Sequence, residues 1–432
     1  MVKKHTVSPL TLILLISLIL AGCAQPGLQA NTTETLPAAT ARPAIKTIPA
    51  QTATEIPAKV SPSTLQITPT PSAAVQILDL AYAGRLWALV SMDENPTSEN
   101  PLISLIIDSS SDGGATWEAH SIPAAGPAGQ NSLPLTSRVA FMDQNTGWVF
   151  DSGLFQTQDG GSTWKELTMD QNVEAILPAD STGGQNWALA GVCAEAGQDC
   201  TYQLMNLDPQ AGTLAPLSGY SSLRAGQHPE LYRIHEKTAL VFAPELSTAD
   251  QPSESMALWS SDGSGSGWKK LATPCHMDGL FSLSPDGQFW LECGILFSGA
   301  DEAKGIYVSS DQGATWELRS ASGGLIEATP PSDHPLQVFG NVTGLLALSK
   351  EEALIGLSHD TLYLSLDEGR DWEGVIPPFG PDDPVDIAGW RLVRKPGSDE
   401  IWAAASTQPL SSWLFRSTDR GHSWSKIKTI WP

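Results

Sequence analysis

The chain has 432 residues, among them 15 Trp, 38 Gly and 32 Pro, and only 16% of its residues are charged. This composition favours many short strands joined by turns over long helices, so an all-β protein is expected. The formal net charge of −23 argues against a phosphate-binding surface, because nucleic-acid-binding proteins concentrate Lys and Arg on one face. Nucleic acid is therefore excluded as an expected partner.

Residues 1–22 have the pattern of an export signal peptide. Lys3 and Lys4 precede an apolar run from Pro9 to Leu20, which is too short to span a bilayer as a helix. The sequence LAGC, ending at Cys23, resembles a bacterial lipobox, which implies cleavage before Cys23 and lipid attachment to its thiol. The alternative is an ordinary secretory signal followed by a chance cysteine. Both interpretations predict an exported protein, and the first places it on a membrane, facing the periplasm or the cell exterior.

Residues 23–73 are predicted to be a disordered linker. The segment from Ala24 to Ser72 has 8 Pro and 10 Thr in 49 residues and no aromatic residue, so it cannot bury a core. Residues 1–72 carry five basic and two acidic groups, which leaves 19 basic and 45 acidic groups for residues 73–432. The acidic part is therefore the folded domain, predicted for residues 74–432.

An eight-residue motif recurs through this domain. Its five clear copies are SSDGGATW (Ser110–Trp117), TQDGGSTW (Thr157–Trp164), SSDQGATW (Ser309–Trp316), SLDEGRDW (Ser365–Trp372) and STDRGHSW (Ser417–Trp424). Two weaker copies have one extra residue between the Asp and the last position of the motif. They are SSDGSGSGW (Ser260–Trp268) and LDPQAGTL (Leu207–Leu214), and in the second Leu replaces Trp. The seven Asp residues are separated by intervals of 47, 49, 54, 49, 56 and 52 residues.

Each copy has the chemistry of a turn between two strands. The Asp can accept hydrogen bonds from amides of its own loop, the Gly supplies a positive φ, and the Trp offers a flat packing surface. The residues predicted to have this structural role are Asp112, Trp117, Asp159, Trp164, Asp208, Asp262, Trp268, Asp311, Trp316, Asp367, Trp372, Asp419 and Trp424.

A second tryptophan recurs about one hairpin upstream of the motif. Its copies are Trp87, Trp148, Trp187, Trp290 and Trp402. Repeats of this length with several strands each are typical of propeller blades. The sequence therefore predicts a seven-bladed β-propeller of four-stranded antiparallel blades. In the second blade the strands are expected near 137–142, 147–150, 154–157 and 163–167. Packing between the first and last blades is expected to close the ring, with strand exchange left open.

The motif resembles the Asp-box, also called the bacterial neuraminidase repeat. The longer stretch from Val139 to Trp164 resembles the seven-bladed propellers of the photosystem II assembly and stability factor family. In such families the box lies on the outer part of the blade and is structural. Asp-boxes also occur in sialidases, which use an Arg cluster for the substrate carboxylate, a Tyr nucleophile paired with Glu, and an Asp acid.

A sialidase-type glycosidase is one alternative that the resemblance raises. The sequence YRIH, Tyr232 to His235, departs from the sialidase Phe- or Tyr-Arg-Ile-Pro motif in lacking the Pro and in its position. Arg138, Arg233 and Arg391 fall on predicted innermost strands and are the candidate ligand-binding residues, since guanidinium groups clamp carboxylates. Acidic loops oppose an anionic sugar electrostatically.

Long loops on one face of the propeller are predicted to hold the binding site. These loops are 92–101, 123–136, 218–229, 243–255, 297–303, 321–342 and 377–384, and several are acidic. The turns between first and second strands, on the opposite face, are mostly short. The loop lengths thus point to the long-loop face as the place of function.

The four remaining cysteines are an even number in an exported chain, which favours disulfides. The expected pairs are Cys193 with Cys200, which flank one hairpin loop, and Cys275 with Cys293. A catalytic Cys and a zinc site are less favoured, because no His lies at a recognisable spacing and no CxxC occurs.

Together these features predict a lipid-anchored extracytoplasmic propeller that acts by binding, as a monomer, to a protein or carbohydrate ligand. No catalytic constellation, cofactor or metal site is identified, and contact with the membrane is expected through the lipid only. The alternatives are a sialidase-like glycoside hydrolase and an assembly factor for a membrane complex.

Overall fold

The computed structural model describes most of the predicted folded domain. The described residues are 59–60, 74–93, 103–123, 136–150, 153–179, 184–194, 199–246, 255–298, 301–322, 333–338, 340–380, 386–407 and 411–427. The predicted signal peptide, Cys23 and nearly all of the predicted linker lie outside them. Among the described residues there is no helix long and apolar enough to cross a membrane.

The fold is an all-β ring of seven blades, each built from consecutive antiparallel strands, as the repeat predicts. Blade 1 is preceded by β1 (Lys59–Val60) and contains β2 (Ala74–Tyr82), β3 (Leu86–Asp93), β4 (Ile103–Ser110) and β5 (Thr116–Ser121). Blade 2 contains β6 (Arg138–Phe141), β7 (Gly147–Phe150), β8 (Phe155–Thr157) and β9 (Lys165–Glu166). Blade 3 contains β10 (Asn172–Leu177), β11 (Trp187–Cys193), β12 (Cys200–Asp208), β13 (Thr213–Pro216) and β14 (Leu223–Ala225).

The remaining four blades each have four strands. Blade 4 contains β15 (Glu230–His235), β16 (Thr238–Pro244), β17 (Met256–Ser261) and β18 (Lys269–Leu271). Blade 5 contains β19 (Gly279–Leu283), β20 (Phe289–Ser298), β21 (Asp301–Ser309) and β22 (Glu317–Ala321). Blade 6 contains β23 (Val342–Ala347), β24 (Ala353–Leu357), β25 (Leu362–Ser365) and β26 (Glu373–Val375). Blade 7 contains β27 (Ile387–Arg394), β28 (Ile401–Thr407), β29 (Ser411–Ser417) and β30 (Ser425–Ile427).

The core of the molecule lies between the blades. The five upstream tryptophans lie on the second strands, and each is at most 2% exposed. Trp87, for example, stacks on Phe141 of blade 2, with ring centroids 3.7 Å apart. Each blade thus buries its faces against its neighbours, which is why a single repeat cannot fold alone.

Packing and side-chain hydrogen bonds close the ring. All four strands of blade 7 come from the C-terminal part of the chain, so no described strand is exchanged between the first and last blades. Apolar residues of blade 1 and blade 7 share one buried cluster. The amide of Ile77 donates to Ser412 Oγ at 3.0 Å, and Arg391 Nε donates to the Leu78 carbonyl at 3.1 Å. The expected closure by packing is therefore observed.

Two short strands differ from a strict four-strand pattern. β1 pairs in parallel with β5, so a small part of the predicted linker forms a fifth strand on the outer edge of blade 1. β14 pairs with β12 beyond the end of β13, so the outermost strand of blade 3 is interrupted. The prediction that residues 218–229 form one long loop is wrong in this part, because the segment returns to the sheet.

A second loop prediction is also wrong. Residues 297–303 were expected to connect two strands, but β20 and β21 pair as far as Ser298 and Asp301. Only residues 299 and 300 therefore separate the two strands. The strands predicted for blade 2 agree with the structure, and β7 spans the predicted residues 147–150.

Candidate functional site

The repeated turns are ordered by their own side chains. In the turn of blade 5, Asp311 Oδ1 accepts the amide of Thr315 at 2.8 Å, and Oδ2 accepts the Thr315 hydroxyl at 2.6 Å. Ser309 Oγ donates to Asp311 and accepts the amide of Gly313, at 2.8 Å each. These hydrogen bonds stabilise the carboxylate, the largest coming from Thr315, and lower the pKa of Asp311 to about 2.

Four other turns have the same core geometry. In blades 1, 2, 6 and 7 the aspartate Oδ1 accepts an amide four residues ahead, at distances of 2.8, 2.8, 2.9 and 2.9 Å. The aspartates are Asp112, Asp159, Asp367 and Asp419. The tryptophans that end these turns are Trp117, Trp164, Trp372 and Trp424, and Trp117 is fully buried. These aspartate side chains form hydrogen bonds within their own turns, which fits a structural role.

The turns of blades 3 and 4 are different. Asp208 Oδ1 accepts the amides of Gln210 and Ala211 at 2.8 and 3.0 Å, and Asp262 Oδ1 accepts the amide of Ser264 at 2.9 Å. In both turns the aspartate carboxylate accepts no hydrogen bond from the fourth residue ahead. The extra residue in each copy therefore changes the turn.

The three arginines predicted as ligand candidates do not form one cluster. The first strands of the blades surround the central channel of the ring. Arg138 faces a small cavity in this channel, beside Asp79 and Tyr232. Arg391 is exposed in another part of the channel, where its donors reach the carbonyls of Leu78 and Trp390 at 3.1 and 3.3 Å. Arg233 lies instead at the channel mouth, 4.0 Å above the ring of Trp187. A three-arginine carboxylate clamp is therefore not what the structure contains.

A tyrosine–glutamate pair does lie in the channel. The Tyr232 hydroxyl donates to Glu230 Oε2 at 2.5 Å and is 2.9 Å from the Phe281 carbonyl of blade 5. Arg138 and Asp79 line the same cavity. We call Asp79, Arg138, Glu230 and Tyr232 the channel cluster. It brings together the residue types that a sialidase uses, with one arginine in place of several.

The channel cluster is built as a structural contact. Burial, and then Glu230, raise the pKa of Tyr232 well above its usual value, which makes its hydroxyl a poor nucleophile. Asp79 accepts the amides of Leu80 and Val139 at 2.9 and 3.0 Å and so links blades 1 and 2. The cavity has a volume of about 150 Å³, smaller than the range typical of ligand sites.

A large pocket formed by described residues lies at one mouth of the channel, between blades 3, 4 and 5. Its volume is about 890 Å³, within the range for ligand sites. Its lining combines aliphatic side chains with polar and charged groups: Leu177, Pro178, Gly184, Gln185, Tyr232, Arg233, Ile234, His235, Glu236, Lys237 and Leu283. We call it the mouth pocket.

Arg233 is a charged residue of the mouth pocket that contacts both an aromatic ring and a carbonyl. Its guanidinium lies over the ring of Trp187 and donates to the Gln185 carbonyl. Tyr220 packs edge-on to Trp187, with ring centroids 6.1 Å apart, and its hydroxyl donates to the Lys237 carbonyl. These contacts hold the arginine in a fixed orientation, and preorganisation of this kind lowers the cost of binding.

The mouth pocket lies on the face opposite to the predicted one. Its lining comes from the ends of the first strands β10, β15 and β19 and from the connections that lead to the second strands. We call the face on which these connections lie the turn face. The sequence contains one signal for it: the connection between β10 and β11, residues 178–186, is longer than the other turns on that face. Much of the long-loop face lies outside the described residues, so the pocket expected there is untested.

The structure has both predicted disulfides, Cys193–Cys200 and Cys275–Cys293. The first joins β11 and β12, and Glu174 Oε1 is 3.6 Å from Cys193 Sγ. These three residues are close enough to form a metal site in geometry alone. Because both sulfurs are bonded to each other, neither is a thiolate ligand, and Glu174 instead accepts the Tyr202 hydroxyl at 2.9 Å.

Comparison with known proteins adds information on the fold. No protein-family model matches the sequence, and no curated protein does. The structure is similar to that of YCF48 bound to D1 peptide, with 15% identity over 67% of this chain and 79% of that one and a TM-score of 0.43. It is also similar to a polysaccharide lyase of family PL25, an ulvan lyase bound to -[GlcA(1-4)Rha3S]-, with 11% identity over 82% and 94% and a TM-score of 0.52.

A third similar structure is the β-propeller domain of the Trilobed protease from Pyrococcus furiosus, which has an open velcro topology. It has 10% identity over 83% of this chain and 99% of that one, and a TM-score of 0.46. At such low identity the similarity to the ulvan lyase shows a shared fold and does not transfer an activity.

Proposed function

We propose that the protein is a lipid-anchored, extracytoplasmic propeller that binds its ligand in the mouth pocket and has no catalytic role. The observation that supports this most directly is the pocket of about 890 Å³, which has aliphatic walls and an arginine held in a fixed orientation. Concave, partly apolar sites with a few ordered polar groups are typical of binding sites.

The arrangement of groups supports binding over catalysis. The mouth pocket contains no pair of carboxylates in contact and no nucleophile beside a base among its lining residues. The one tyrosine on its wall, Tyr232, has its hydroxyl hydrogen-bonded to Glu230. The pocket thus offers recognition without an activated group.

Photo-crosslinking from inside the pocket tests this proposal. A benzoylphenylalanine at Ile234, which lines the pocket, is expected to crosslink a specific partner in intact bacteria. The same group at Lys269, an exposed residue of β18, is the control and should not give that product. Equal products at both positions, or none at Ile234, would contradict a ligand in the mouth pocket. Recovery of a subunit of a membrane complex would identify the protein as an assembly factor.

Membrane anchoring is a separate part of the proposal. It is supported by the LAGC sequence at Cys23 and by the Thr- and Pro-rich segment that follows. A Cys23→Ala variant should appear in the soluble fraction while wild-type protein stays with membranes, because a lipid chain supplies the attachment. Equal distribution of the two proteins would contradict the anchor and leave the crosslinking result unaffected.

Glycoside hydrolysis is the second candidate, and the channel cluster favours it. The Tyr232–Glu230 pair beside Arg138 and Asp79 has the residue types of a sialidase centre. We expect fluorogenic glycosides, sialosides included, to show no turnover, because the raised pKa of Tyr232 keeps its hydroxyl protonated. Turnover that is lost in Tyr232→Phe and Arg138→Gln variants would establish the enzyme and refute the binding-only function.

A further inference from the structure

A second pocket opens on the turn face, between blades 5, 6 and 7. Its volume is about 400 Å³, and the mouth pocket shares none of its lining residues. Pro285, Leu348 and Ile401 form its apolar part. Its charged lining is Asp286, Arg394, Asp399 and Arg420. We call it the two-arginine pocket.

The two guanidinium groups converge on one carbonyl. Arg394 Nη1 donates to the Leu348 carbonyl at 2.9 Å, and Arg420 Nη2 lies 3.5 Å from the same oxygen. Among the described residues Arg394 makes no other hydrogen bond and no ion pair. The hydrogen-bond partner of this half-buried cation is thus a neutral carbonyl, and the acids Asp286 and Asp399 act on it without direct contact.

The charged groups around Arg394 also affect its pKa. Burial and then the neighbouring Arg420 lower the pKa of Arg394, while Asp286 and Asp399 act in the opposite direction with smaller effect. Of the charged groups that act on Arg394, Arg420 therefore has the largest single effect. An added anion would relieve the repulsion between the two guanidinium groups.

The acidic groups nearby have other partners. Asp286 Oδ2 accepts the amide of Lys350 at 2.8 Å, and its Oδ1 accepts the Ser284 hydroxyl at 2.5 Å. Glu352 forms an ion pair with Arg420, and Asp399 Oδ1 lies 3.9 Å from Arg420 Nη1. These contacts orient Arg420 and leave the charge of Arg394 facing the pocket.

We propose that the two-arginine pocket binds a compact oxyanion, a phosphate or sulfate group, through Arg394 and Arg420. Guanidinium groups donate paired, charge-assisted hydrogen bonds that match tetrahedral oxyanions. The pocket is open enough to admit either a free anion or such a group on a larger molecule. This site is independent of the mouth pocket and of the function proposed for it.

Isothermal titration with inorganic phosphate, at constant ionic strength set with sodium chloride, tests the site. Wild-type protein is expected to show saturable 1:1 binding. Arg394→Gln and Arg420→Gln should each weaken it at least about tenfold, the loss of one charge-assisted contact. Arg85→Gln is the matched control, because Arg85 lies on the turn face of blade 1 and pairs with Glu118 at 3.0 Å. It should bind phosphate like wild type.

Two further measurements make the result decisive. Arg394→Lys keeps the charge and loses the paired donors, so it should bind more tightly than Arg394→Gln and melt like wild type. Methyl phosphate distinguishes the sources: binding as tight as that of phosphate indicates a group on a larger molecule, and weaker binding indicates a free anion. Absence of saturable binding to wild type, or an equal loss in Arg85→Gln, would overturn the proposal.

Discussion

The turns of blades 1, 2, 5, 6 and 7 differ from those of blades 3 and 4. In the first group the aspartate accepts a hydrogen bond from the amide of the fourth residue ahead. It accepts a second one from the side chain of that residue, as Asp311 does with Thr315, or again from its amide. In the second group Asp208 and Asp262 bond only nearer amides. The turn of blade 4 instead contacts the interrupted edge of blade 3, where the Gly265 amide donates to the Gly219 carbonyl at 2.9 Å.

The position of the irregular turns indicates the mouth pocket better than the regular copies of the eight-residue motif do. The irregular blades 3 and 4 supply Arg233, Trp187 and most of the pocket wall. The disulfides lie in the same region: one in blade 3, and the other joining the connection after blade 4 to blade 5. The mouth pocket therefore lies where the turns depart from the repeat, whereas Arg420 of the two-arginine pocket lies in a regular turn of blade 7.

The first prediction tests whether the regular turns are structural. Gly369 has φ +85°, and a Cβ there would lie 2.9 Å from Cζ3 of the buried Trp290. Gly369→Ala should lower the free energy of unfolding by about 3–4 kcal/mol, the sum of backbone strain and overpacking. Denaturant unfolding followed by Trp fluorescence measures this.

Gly287→Ala is the matched control for that substitution. Gly287 has φ +90° and no atom within 4 Å of the added Cβ, so only the backbone cost of about 1 kcal/mol is expected. Equal destabilisation by both variants would show that packing at the regular turn contributes nothing.

The second prediction concerns the irregular part, which the disulfides reinforce. The residues of the pair Cys275–Cys293 are 18 apart and those of Cys193–Cys200 are 7 apart, so the first closes the longer loop. Replacing both cysteines of a pair by Ala should cost about 3 kcal/mol for the first and about 2.5 kcal/mol for the second. Thermal unfolding of the two variants measures the costs. A negligible effect of either would mean that the irregular blades are held by packing alone.

The sequence predicts the scaffold well because period and turn chemistry are local. Strand β7 coincides with residues 147–150, and both disulfides join cysteines that the strand order brings together. The sequence predicts a loop at residues 297–303, whereas β20 and β21 pair as far as Ser298 and Asp301, because polar residues can continue a strand.

The mouth pocket could not be predicted in the same way. Arg233 contacts Trp187 of the preceding blade, and Tyr232 contacts Phe281 of the following one. Such contacts depend on how far each innermost strand is shifted along the channel, which blade spacing does not encode. The same holds for Arg394, at the end of β27, and Arg420, in the turn between β29 and β30.

The third prediction concerns a weak point in regular blade 1. Asp108 of β4 is 1% exposed, and its Oδ1 has no hydrogen-bond partner among the described residues. Burial raises the pKa of Asp108 well above its usual value. At low pH the folded and unfolded forms are both protonated. Above about pH 4 the unfolded chain releases the proton first, so wild-type stability falls as pH rises.

Asp108→Asn should therefore be more stable than wild type by on the order of 1–2 kcal/mol at pH 8, with the difference disappearing near pH 4. Unfolding curves at several pH values measure this, and Asp170→Asn, at an exposed position, should change little. A difference that grows as the pH falls would contradict the buried neutral acid.

The smallest expected effect contrasts the two kinds of turn directly. The pKa of Asp311 is lowered to about 2, so its hydrogen bonds stabilise the fold above about pH 4 and are lost as pH falls towards 2. Asp208 also has a lowered pKa, caused by the amides of Ala211 and then Gln210. Because Asp311 has bonds to the side chains of Ser309 and Thr315 as well, Asp311→Asn should lower the midpoint of thermal unfolding at pH 7 more than Asp208→Asn does.

At pH 2.5 the two variants should differ less from wild type and from each other, because the unfolded chain is then protonated at these carboxyl groups and folding keeps only part of the stabilisation that the ionised forms provide. Melting temperatures at both pH values measure this contrast. A larger effect of Asp208→Asn at pH 7 would reverse the assignment of regular and irregular turns. It would place the stronger hydrogen-bond network in blade 3, where the structure has only two amide bonds to the carboxylate.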